Sequence, residues 1–481
     1  RSKGGWDNYI AVSPSDMRGD GLIQGGLEQG DVLTITLNGS EAKLPVVVQP
    51  GQKAGTIAVA LGYGRTKAGQ LAAGLNSEHK INAEGIAAIG SDVYDFVSVS
   101  NGTLNYNVSG LTVVKAGTTR RIAQTQTHHT IMGRDIVRES TIADYQKGED
   151  KFKKQMTDRY QIFVTTADGE KHIPNEVDIW APDPASETAR KGEKEVVTHI
   201  YPNHHWGMVI DMNSCIGCSA CIVGCQVENN IPVVGKDEVI RRREMHWMRI
   251  DRYYTSKPEE GENAAEVAKN VDDLKWSIGG NKDLEKPSDY PERVTFQPML
   301  CQHCNHAPCE TVCPVMATSH SSEGLNQMAY NRCIGTRYCA NNCAYKVRRF
   351  NWFNYSDSRD TGREFMGVNV PANDDLAKMV LNPDVMVRAR GVIEKCSMCV
   401  QRIQSGKLDA KLNKRKVKDG EIQVACAQSC PADAISFGDM NDKDSKVSKL
   451  LAEEAADRKY HVLEELNVKP NVTYLTKIRN I

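Results

Sequence analysis

The residues of this chain best suited to chemistry are its fifteen cysteines, all of which lie between positions 215 and 430. They form four groups in which gaps of two and three residues recur. In chain order the groups are Cys215, Cys218, Cys221 and Cys225; Cys301, Cys304, Cys309 and Cys313; Cys333, Cys339 and Cys343; and Cys396, Cys399, Cys426 and Cys430. Such spacing is typical of thiolates that hold a metal centre.

The group that begins at Cys215 has the complete ferredoxin spacing, C-x2-C-x2-C-x3-C. In that run three thiolates hold one iron–sulfur cluster, and the fourth reaches the other cluster of a pair. The group that begins at Cys333 has the same spacing, but Thr336 stands where a second cysteine would be. Proline follows Cys313 and Cys430, as it commonly follows the fourth cysteine of such runs. The sequence therefore predicts two pairs of clusters with one ligand missing.

We pair the first cysteine group with the last, and the second group with the third. If the two groups of a pair exchange their last cysteines, all fifteen thiols are assigned to four sites and none is left over. The first site is Cys215, Cys218, Cys221 and Cys430; the second site is Cys225, Cys396, Cys399 and Cys426; the third site is Cys301, Cys304, Cys309 and Cys343; and the fourth site is Cys313, Cys333 and Cys339. We expect 4Fe-4S clusters in the first three sites.

The fourth site lacks one thiolate because of Thr336. A threonine hydroxyl stays protonated near neutral pH and is a poor ligand for iron, so we expect a 3Fe-4S cluster there. The alternative is a 4Fe-4S cluster whose fourth iron carries water, hydroxide or the Thr336 oxygen.

Other uses of the cysteines fit less well. An odd number of cysteines would leave one thiol outside a disulfide framework. Zinc sites prefer two C-x2-C pairs around one ion, which triple runs followed by proline do not match. No C-x-x-C is followed by histidine, so we expect no haem on this chain, and no thiol is left for catalysis.

Length and composition limit the possible classes of protein. A chain of 481 residues predicts two or three domains at about 100 to 200 residues each. A formal net charge of -1 gives no basic face for nucleic acid. No apolar run approaches the roughly 18 residues that cross a bilayer, so we expect a soluble or peripheral chain whose membrane steps belong to partners. The chain begins at Arg1, which suggests a processed or truncated start.

Residues 1–116 predict an all-β barrel or sandwich, because short alternating runs are separated by Asn-Gly turns. The predicted hairpins join Asp31–Leu37 to Lys43–Val48 and Val93–Ser100 to Thr103–Val108. Residues 117–200 predict an extended connector that lies along the other domains. Residues 201–481 predict the cluster-binding domain.

Several polar segments interrupt the cysteine groups. We expect irregular surface insertions at Thr255–Tyr290, which would contact other subunits, and at Ser356–Asn382. The insertion between Cys399 and Cys426 is lysine-rich at 407–418, and we expect it to be a solvated excursion or a docking loop. The pairs His128-His129 and His204-His205 are expected in hydrogen bonds rather than as metal ligands. The basic residues after Cys343 either tune an adjacent cluster or form a solvated face, and they are Lys346, Arg348 and Arg349.

The first residues resemble a known family. Ser13-Pro14-Ser15-Asp16, Gln29-Gly30-Asp31-Val32 and Val48-Gln49-Pro50-Gly51 are similar to the C-terminal β-barrel of molybdopterin oxidoreductases. In those enzymes the barrel covers the pterin cofactor. Because no cysteine here is free to hold molybdenum, we expect a structural relic without that metal.

From Asp211 to Asp439 the chain resembles the four-cluster subunits that accompany molybdopterin oxidoreductases and polysulfide reductase-like membrane complexes. The segments Gly324–Arg332, Cys333–Cys339 and Lys346–Phe350 resemble the B subunit of alternative complex III. That family fuses a molybdopterin-enzyme-like part to a four-cluster part, in the order seen here. The resemblance implies a mixed α+β fold, a β-barrel followed by a tandem bacterial ferredoxin-like domain.

The resemblance also implies a function. It suggests a non-catalytic electron-transfer subunit of a membrane-bound quinol:cytochrome c oxidoreductase, peripheral on the periplasmic side. The implied partners are polytopic quinol-binding membrane subunits, a multihaem cytochrome c subunit and other respiratory subunits, with a terminal oxidase among the candidates. The alternative is the electron-transfer subunit of a molybdenum formate, sulfur or sulfoxide reductase.

Overall fold

The computed structural model describes residues 3–19, 26–65, 90–127, 136–148, 151–152, 164–165, 169–172, 201–255, 293–353, 379–454 and 457–480. Most of the two predicted insertions lies outside these residues, as does the pair His128-His129.

A five-stranded sheet forms near the start of the chain. Its strand order is Ala58–Val59, Ile10–Val12, Ser40–Val48, Asp31–Leu37 and Thr112–Thr119. Ile10–Val12 runs parallel to Ser40–Val48, and the other neighbours are antiparallel. Alternating side chains bury Leu33, Ile35 and Val46 in one hydrophobic core.

This sheet stays open in the part of the chain that the structure describes, between Ala58–Val59 and Thr112–Thr119. Residues 66–89 lie outside that part. A molybdopterin-type barrel therefore stays a prediction. The turn at Asn38-Gly39 has φ values of 49° and 88°, the left-handed conformation that a tight type I′ hairpin needs.

The second predicted hairpin is shorter than the sequence suggests. It pairs Ser98–Ser100 with Thr103–Asn105. The expected strand from Val93 onward is wrong, because Tyr94–Phe96 forms a 3-10 helix. The N–H of Tyr94 donates to Oδ1 of Asp92 at 2.9 Å, and such a local bond competes with strand pairing.

A four-stranded sheet anchors the cysteine-rich part. Its order is Ile435–Asp439, Trp206–Asp211, Val472–Leu475 and Lys459–Tyr460. Trp206–Asp211 is antiparallel to Ile435–Asp439 and parallel to Val472–Leu475. The first of these pairings joins the strand just before Cys215 to the strand just after Cys430. Two distant cysteine groups are thereby held side by side.

Three two-stranded sheets frame the other cysteine groups. They pair Arg249–Thr255 with Arg293–Met299, Thr318–His320 with Asn326–Met328, and Arg349–Phe350 with Ile393–Glu394. The last pairing joins the segment that follows Cys343 to the segment that precedes Cys396. Sheet pairing thus brings a middle group against the last group.

The remaining elements are short. The helices are Pro14–Arg18, Ile142–Tyr145, Ala220–Glu228, Lys236–Ile240, Pro308–Thr311, Tyr338–Asn342, Val400–Leu412, Ala425–Gln428 and Lys446–Lys449, with a π-helix at Leu450–Glu454 and 3-10 helices at Tyr94–Phe96, Tyr330–Arg332 and Glu464–Leu466. The other paired strands are Gly4–Gly5 with Ala123–Gln124, Val164–Thr165 with Lys171–His172, and Glu139–Thr141 with Lys477–Arg479. Within the described ranges no helix is both long and apolar enough to cross a membrane.

Described parts of residues 117–200 lie against the cysteine-rich domain. Besides the parallel pairing of Glu139–Thr141 with Lys477–Arg479, the N–H of Ile250 donates to Gln126 Oε1 at 2.8 Å. Thr295 Oγ1 donates to Glu139 Oε2 at the same distance. These bonds fix that segment to strands next to the cysteines.

The lysine-rich segment differs in part from the expectation of a solvated loop, because its first half, residues 407–412, lies in the helix Val400–Leu412. This helix is rich in residues of high helix propensity and buries Ile403 and Ala410. Gly406 permits its close packing, since a Cβ there would lie 2.5 Å from Ile422 Cγ1. Lys407 forms an ion pair with Glu323, so its charge is not free in solvent.

A fully buried ion pair stabilises this framework. Arg388 Nη2 donates to Glu394 Oε2 at 2.9 Å, and neither side chain is exposed. The guanidinium also donates to the carbonyl oxygens of Asn229 and Asn230 at the end of the helix Ala220–Glu228. Glu394 accepts from Trp247 Nε1 as well. The pair therefore joins the first cysteine-bearing helix to the strand before Cys396.

Removing one partner should leave a buried charge without compensation. We expect Glu394→Gln to lower the free energy of unfolding by about 3 to 5 kcal/mol. Asp144→Asn is the control, because it breaks a partly exposed ion pair with Lys147 and should cost about 1 kcal/mol or less. Urea unfolding of the full chain measures both, and equal losses in the two variants would contradict the importance of the buried pair.

Candidate metal-cluster sites

Each of the four cysteine loops turns through a left-handed residue two positions after its first cysteine. The φ values are 69° at Gly217, 46° at His303, 75° at Gly335 and 53° at Met398. Glycine at the first of these positions is also needed for space, because a Cβ there would lie 2.5 Å from Phe296 Cγ. The four loops therefore share one local turn, in agreement with their common spacing.

The thiols assigned to the first site lie together. Burial raises the pKa of Cys221 to about 12, and negative charge on the other three cysteines of that site adds to the rise. The second site behaves in the same way, since burial raises the pKa of Cys225 well above its ordinary value and the other three thiols raise it further. Both groupings combine cysteines from the two ends of the domain.

The thiols of the third site are also gathered. Burial raises the pKa of Cys304 well above its ordinary value, and the charges of the other three cysteines contribute. In the fourth site burial raises the pKa of Cys339, the Arg348 guanidinium opposes the rise, and Cys333 and Cys313 add to it.

A small pocket marks the fourth site. Its lining includes the three thiols of that site together with Thr336, Gly335 and Met328. Thr336 is equivalent to Cys218 in backbone conformation. Both residues follow a glycine of positive φ and precede a left-handed residue, Ser219 at 71° or Arg337 at 61°, that begins a helix.

The four sites follow one another in series. Cys221 raises the pKa of Cys225, which makes the first and second sites neighbours. Cys301 likewise raises the pKa of Cys396, which joins the second site to the third. The third and fourth sites meet at Arg348, which donates to Cys309 of the third site and whose positive charge opposes the burial-driven rise in the pKa of Cys339 of the fourth.

Exposure differs along this series. All eight cysteines of the second and third sites are buried. At one end Cys218 is exposed, and at the other Cys313 and Cys333 are half-buried beside the exposed Thr336. The arrangement has a protected middle and two ends that a partner could approach.

These donor sets suit iron–sulfur clusters. Thiolates crowded in a buried site require compensating positive charge, which cluster iron supplies while it is held by those thiolates. Four thiols per site in three sites match 4Fe-4S ligation, and three thiols match 3Fe-4S ligation. Within the described residues no three His, Cys, Asp or Glu side chains are arranged to hold a single metal ion.

Backbone amides donate hydrogen bonds to several cysteine sulfurs. Donors to cysteine Sγ atoms lie at 3.2 to 3.4 Å and are the N–H groups of Ala317, Ile393, Met398, Ala425 and Ala434. Although burial opposes it, such amide donors lower the pKa of Cys313. Hydrogen bonds to cluster sulfurs are one determinant of reduction potential.

Two asparagines contribute donors that spacing alone does not predict. Asn229 Nδ2 lies 3.7 Å from Cys225 Sγ and 3.8 Å from Cys399 Sγ, both in the second site. Asn326 Nδ2 lies 3.7 Å from Cys309 Sγ in the third site. Asn229 stands four residues after Cys225, one helical turn on, which is the only signal of its role in the sequence.

The histidine pair at 204–205 forms hydrogen bonds, as expected. His204 Nδ1 lies 2.6 Å from Asp439 Oδ2, and His205 Nε2 lies 3.0 Å from Asn471 Oδ1.

The basic residues after Cys343 differ from one another. Lys346 is exposed, whereas Arg348 is buried against cysteine sulfur, so a solvated face describes only the first.

Comparisons with known proteins match this part of the chain. Residues 292–359 match the family described as a 4Fe-4S dicluster domain. The menaquinone reductase iron-sulfur cluster-binding subunit of Nitratidesulfovibrio vulgaris is 33% identical over 277 residues, which cover 56% of this chain and 89% of that protein.

Two further relatives have similar coverage. The Hdr-like menaquinol oxidoreductase iron-sulfur subunit 1 of Archaeoglobus fulgidus is 29% identical over 293 residues, covering 57% of this chain and 84% of that protein. The iron-sulfur subunit of the arsenate respiratory reductase of a Shewanella species is 27% identical over 259 residues, with coverages of 51% and 86%.

The exchange of cysteines between groups can be tested directly. We expect Cys430→Ser to damage the cluster of the first site and to leave that of the second site intact, because Cys430 lies with Cys215, Cys218 and Cys221. Cys426→Ser is the matched variant and should do the opposite. Iron content and EPR of the reduced full chain measure both, and the reverse pattern would show that the pairing is wrong.

Proposed function

Because this chain belongs to the family of iron–sulfur electron-transfer subunits of molybdopterin-oxidoreductase-type complexes, we propose that it carries electrons through four clusters within a quinol-oxidising membrane complex. The proposed cofactors are 4Fe-4S clusters in the first, second and third sites and a 3Fe-4S cluster in the fourth. No residue of this chain is assigned a catalytic role. The chain transfers electrons between partner subunits.

The observation that carries the proposal is the serial order of the four thiol groups. Neighbouring groups are in electrostatic contact, the middle two are buried, and the outer two approach the surface. A path for electrons needs redox centres in close succession, shielded from solvent between an entry and an exit. The clusters supply the one-electron chemistry, and the chain holds them in order and tunes them.

The type of complex is proposed from resemblance and relatives. Two relatives act on menaquinone or menaquinol by name, which supports a quinone partner. The fusion of an N-terminal β-rich part to the four-cluster part favours alternative complex III. In that case the partners are polytopic quinol-binding membrane subunits and a multihaem cytochrome c subunit, and the chain is peripheral on the periplasmic side.

A second candidate is favoured equally by the relatives. The iron-sulfur subunit of the arsenate respiratory reductase is similar to this chain, and so is one of the subunits of a selenate reductase. The candidate is thus the electron-transfer subunit of a molybdenum reductase. The two proposals share the four-cluster path and differ in the partner at one end.

The fourth site gives a spectroscopic prediction. An oxidised 3Fe-4S cluster is paramagnetic, whereas an oxidised 4Fe-4S cluster of this kind is silent. We expect a low-temperature EPR signal from the air-oxidised protein, and we expect Thr336→Cys to weaken or abolish it by binding a fourth iron. Thr336→Ser is the control and should keep the signal. A silent wild-type sample with full iron loading would refute the assignment.

Metal analysis of the intact complex separates the two candidate functions. We expect a complex of the alternative complex III type to contain no stoichiometric molybdenum, and its clusters to be reduced on addition of quinol. Molybdenum bound to this polypeptide would contradict the first candidate. Molybdenum bound to a partner subunit would favour the second.

A further inference from the structure

Arg348 lies between the third and fourth sites with only 6% of its surface exposed. Its Nη2 donates to Cys309 Sγ at 3.0 Å and to Asn326 Oδ1 at 2.8 Å. Burial raises the pKa of Cys339 in the fourth site, and the positive charge of Arg348 opposes that rise. One side chain therefore acts on thiols of two neighbouring sites.

The charge of Arg348 is balanced in an unusual way. Its other partners are the hydroxyl of Thr318 at 3.1 Å and the sulfur of Met328 at 3.8 Å. Among the residues that the structure describes, no carboxylate forms an ion pair with it. A buried guanidinium needs negative charge nearby, and the cysteine thiolates provide it.

Lys395 occupies the corresponding position between the second and third sites. It is 1% exposed, and its Nζ donates to the carbonyl oxygen of Cys396 at 2.8 Å and to that of Asn326. Its positive charge acts on Cys396 of the second site and on Cys309 of the third. In the described part of the chain, Lys395 too has no carboxylate partner.

Two other buried arginines, Arg388 and Arg249, lack this arrangement. Arg388 is paired with Glu394, and Arg249 is paired with Asp251. Their positive charges are neutralised by carboxylates, so the field beyond each pair is weak. The positive charges of Arg348 and Lys395 are not neutralised by carboxylates, so they act on the cysteine sulfurs.

We propose that Arg348 and Lys395 are positioning residues that each raise the reduction potentials of the two clusters they separate. Reduction adds one electron and hence one negative charge to a cluster, and a buried cation beside its ligands stabilises that charge. The third site adjoins both cations and the first site neither. The inference rests on the proposed clusters and adds the residues that set their relative potentials.

The two substitutions should shift the reduction potentials of different pairs of clusters, and this difference tests the proposal. The full chain is loaded with its clusters and titrated potentiometrically, with EPR of each cluster as the readout. Arg348→Gln should lower the potentials of the third and fourth sites and leave the first and second unchanged. Lys395→Gln should lower those of the second and third sites and leave the first and fourth unchanged.

Two further variants separate charge from structure. Arg348→Lys retains the charge and should return the potentials toward those of the wild type. Lys346→Gln removes an exposed positive charge two residues from Arg348 and should shift no cluster comparably. If Arg348→Gln fails to assemble a cluster, Lys395→Gln and Arg348→Lys still decide the matter.

The results that would contradict this inference differ from those that would contradict the proposed function. Normal clusters with unmoved potentials in Lys395→Gln and Arg348→Gln would overturn this inference and leave the proposed function intact, as would equal shifts at all four sites. A wild-type chain without any iron–sulfur EPR signal, oxidised or reduced, would instead contradict the proposed function.

Discussion

The burial of negative charge is the constraint on which the cysteine-rich domain depends. Cys225, Cys304 and Cys426 are fully enclosed, and burial raises the pKa of each thiol well above its ordinary value. An unpaired buried charge costs several kcal/mol, so four thiolates in one buried site need compensating charge and hydrogen bonds. Cluster iron would supply most of that charge. From the chain itself, Arg348 and Lys395 supply positive charge. Backbone amides and two asparagines supply hydrogen bonds.

The architecture follows from holding such sites in order. The strand Trp206–Asp211 pairs with Ile435–Asp439, and this pairing brings the first and last cysteine groups together. The pairing of Arg349–Phe350 with Ile393–Glu394 brings a middle group against the last one. Each site collects thiols from two different segments, so the sheet register that aligns these segments would be stabilised by clusters held there. The helices around the sites are short and the loops irregular, because the chain must bring its cysteines to fixed positions rather than continue long regular elements.

The sequence predicted local features well and, apart from the grouping of the cysteines, long-range features poorly. Cysteine spacing predicted the four loops, and the Asn-Gly dipeptide predicted the hairpin around residues 38–39, because both depend on a few adjacent residues. The helix Val400–Leu412 was missed because a run of lysines suggested solvent, and its packing depends on the distant Ile422. The burial of Arg348 was equally hidden, since its partners Cys309 and Asn326 come from other segments. The closed N-terminal barrel and the ligand assignments remain predictions.

The central claim, that the four thiol groups hold four iron–sulfur clusters, is tested most directly by metal and sulfide content. The intact protein, purified without oxygen, should contain about 15 iron atoms and about 16 acid-labile sulfides per chain, as three 4Fe-4S clusters and one 3Fe-4S cluster require. Zinc in place of iron, or iron without labile sulfide, would contradict the account.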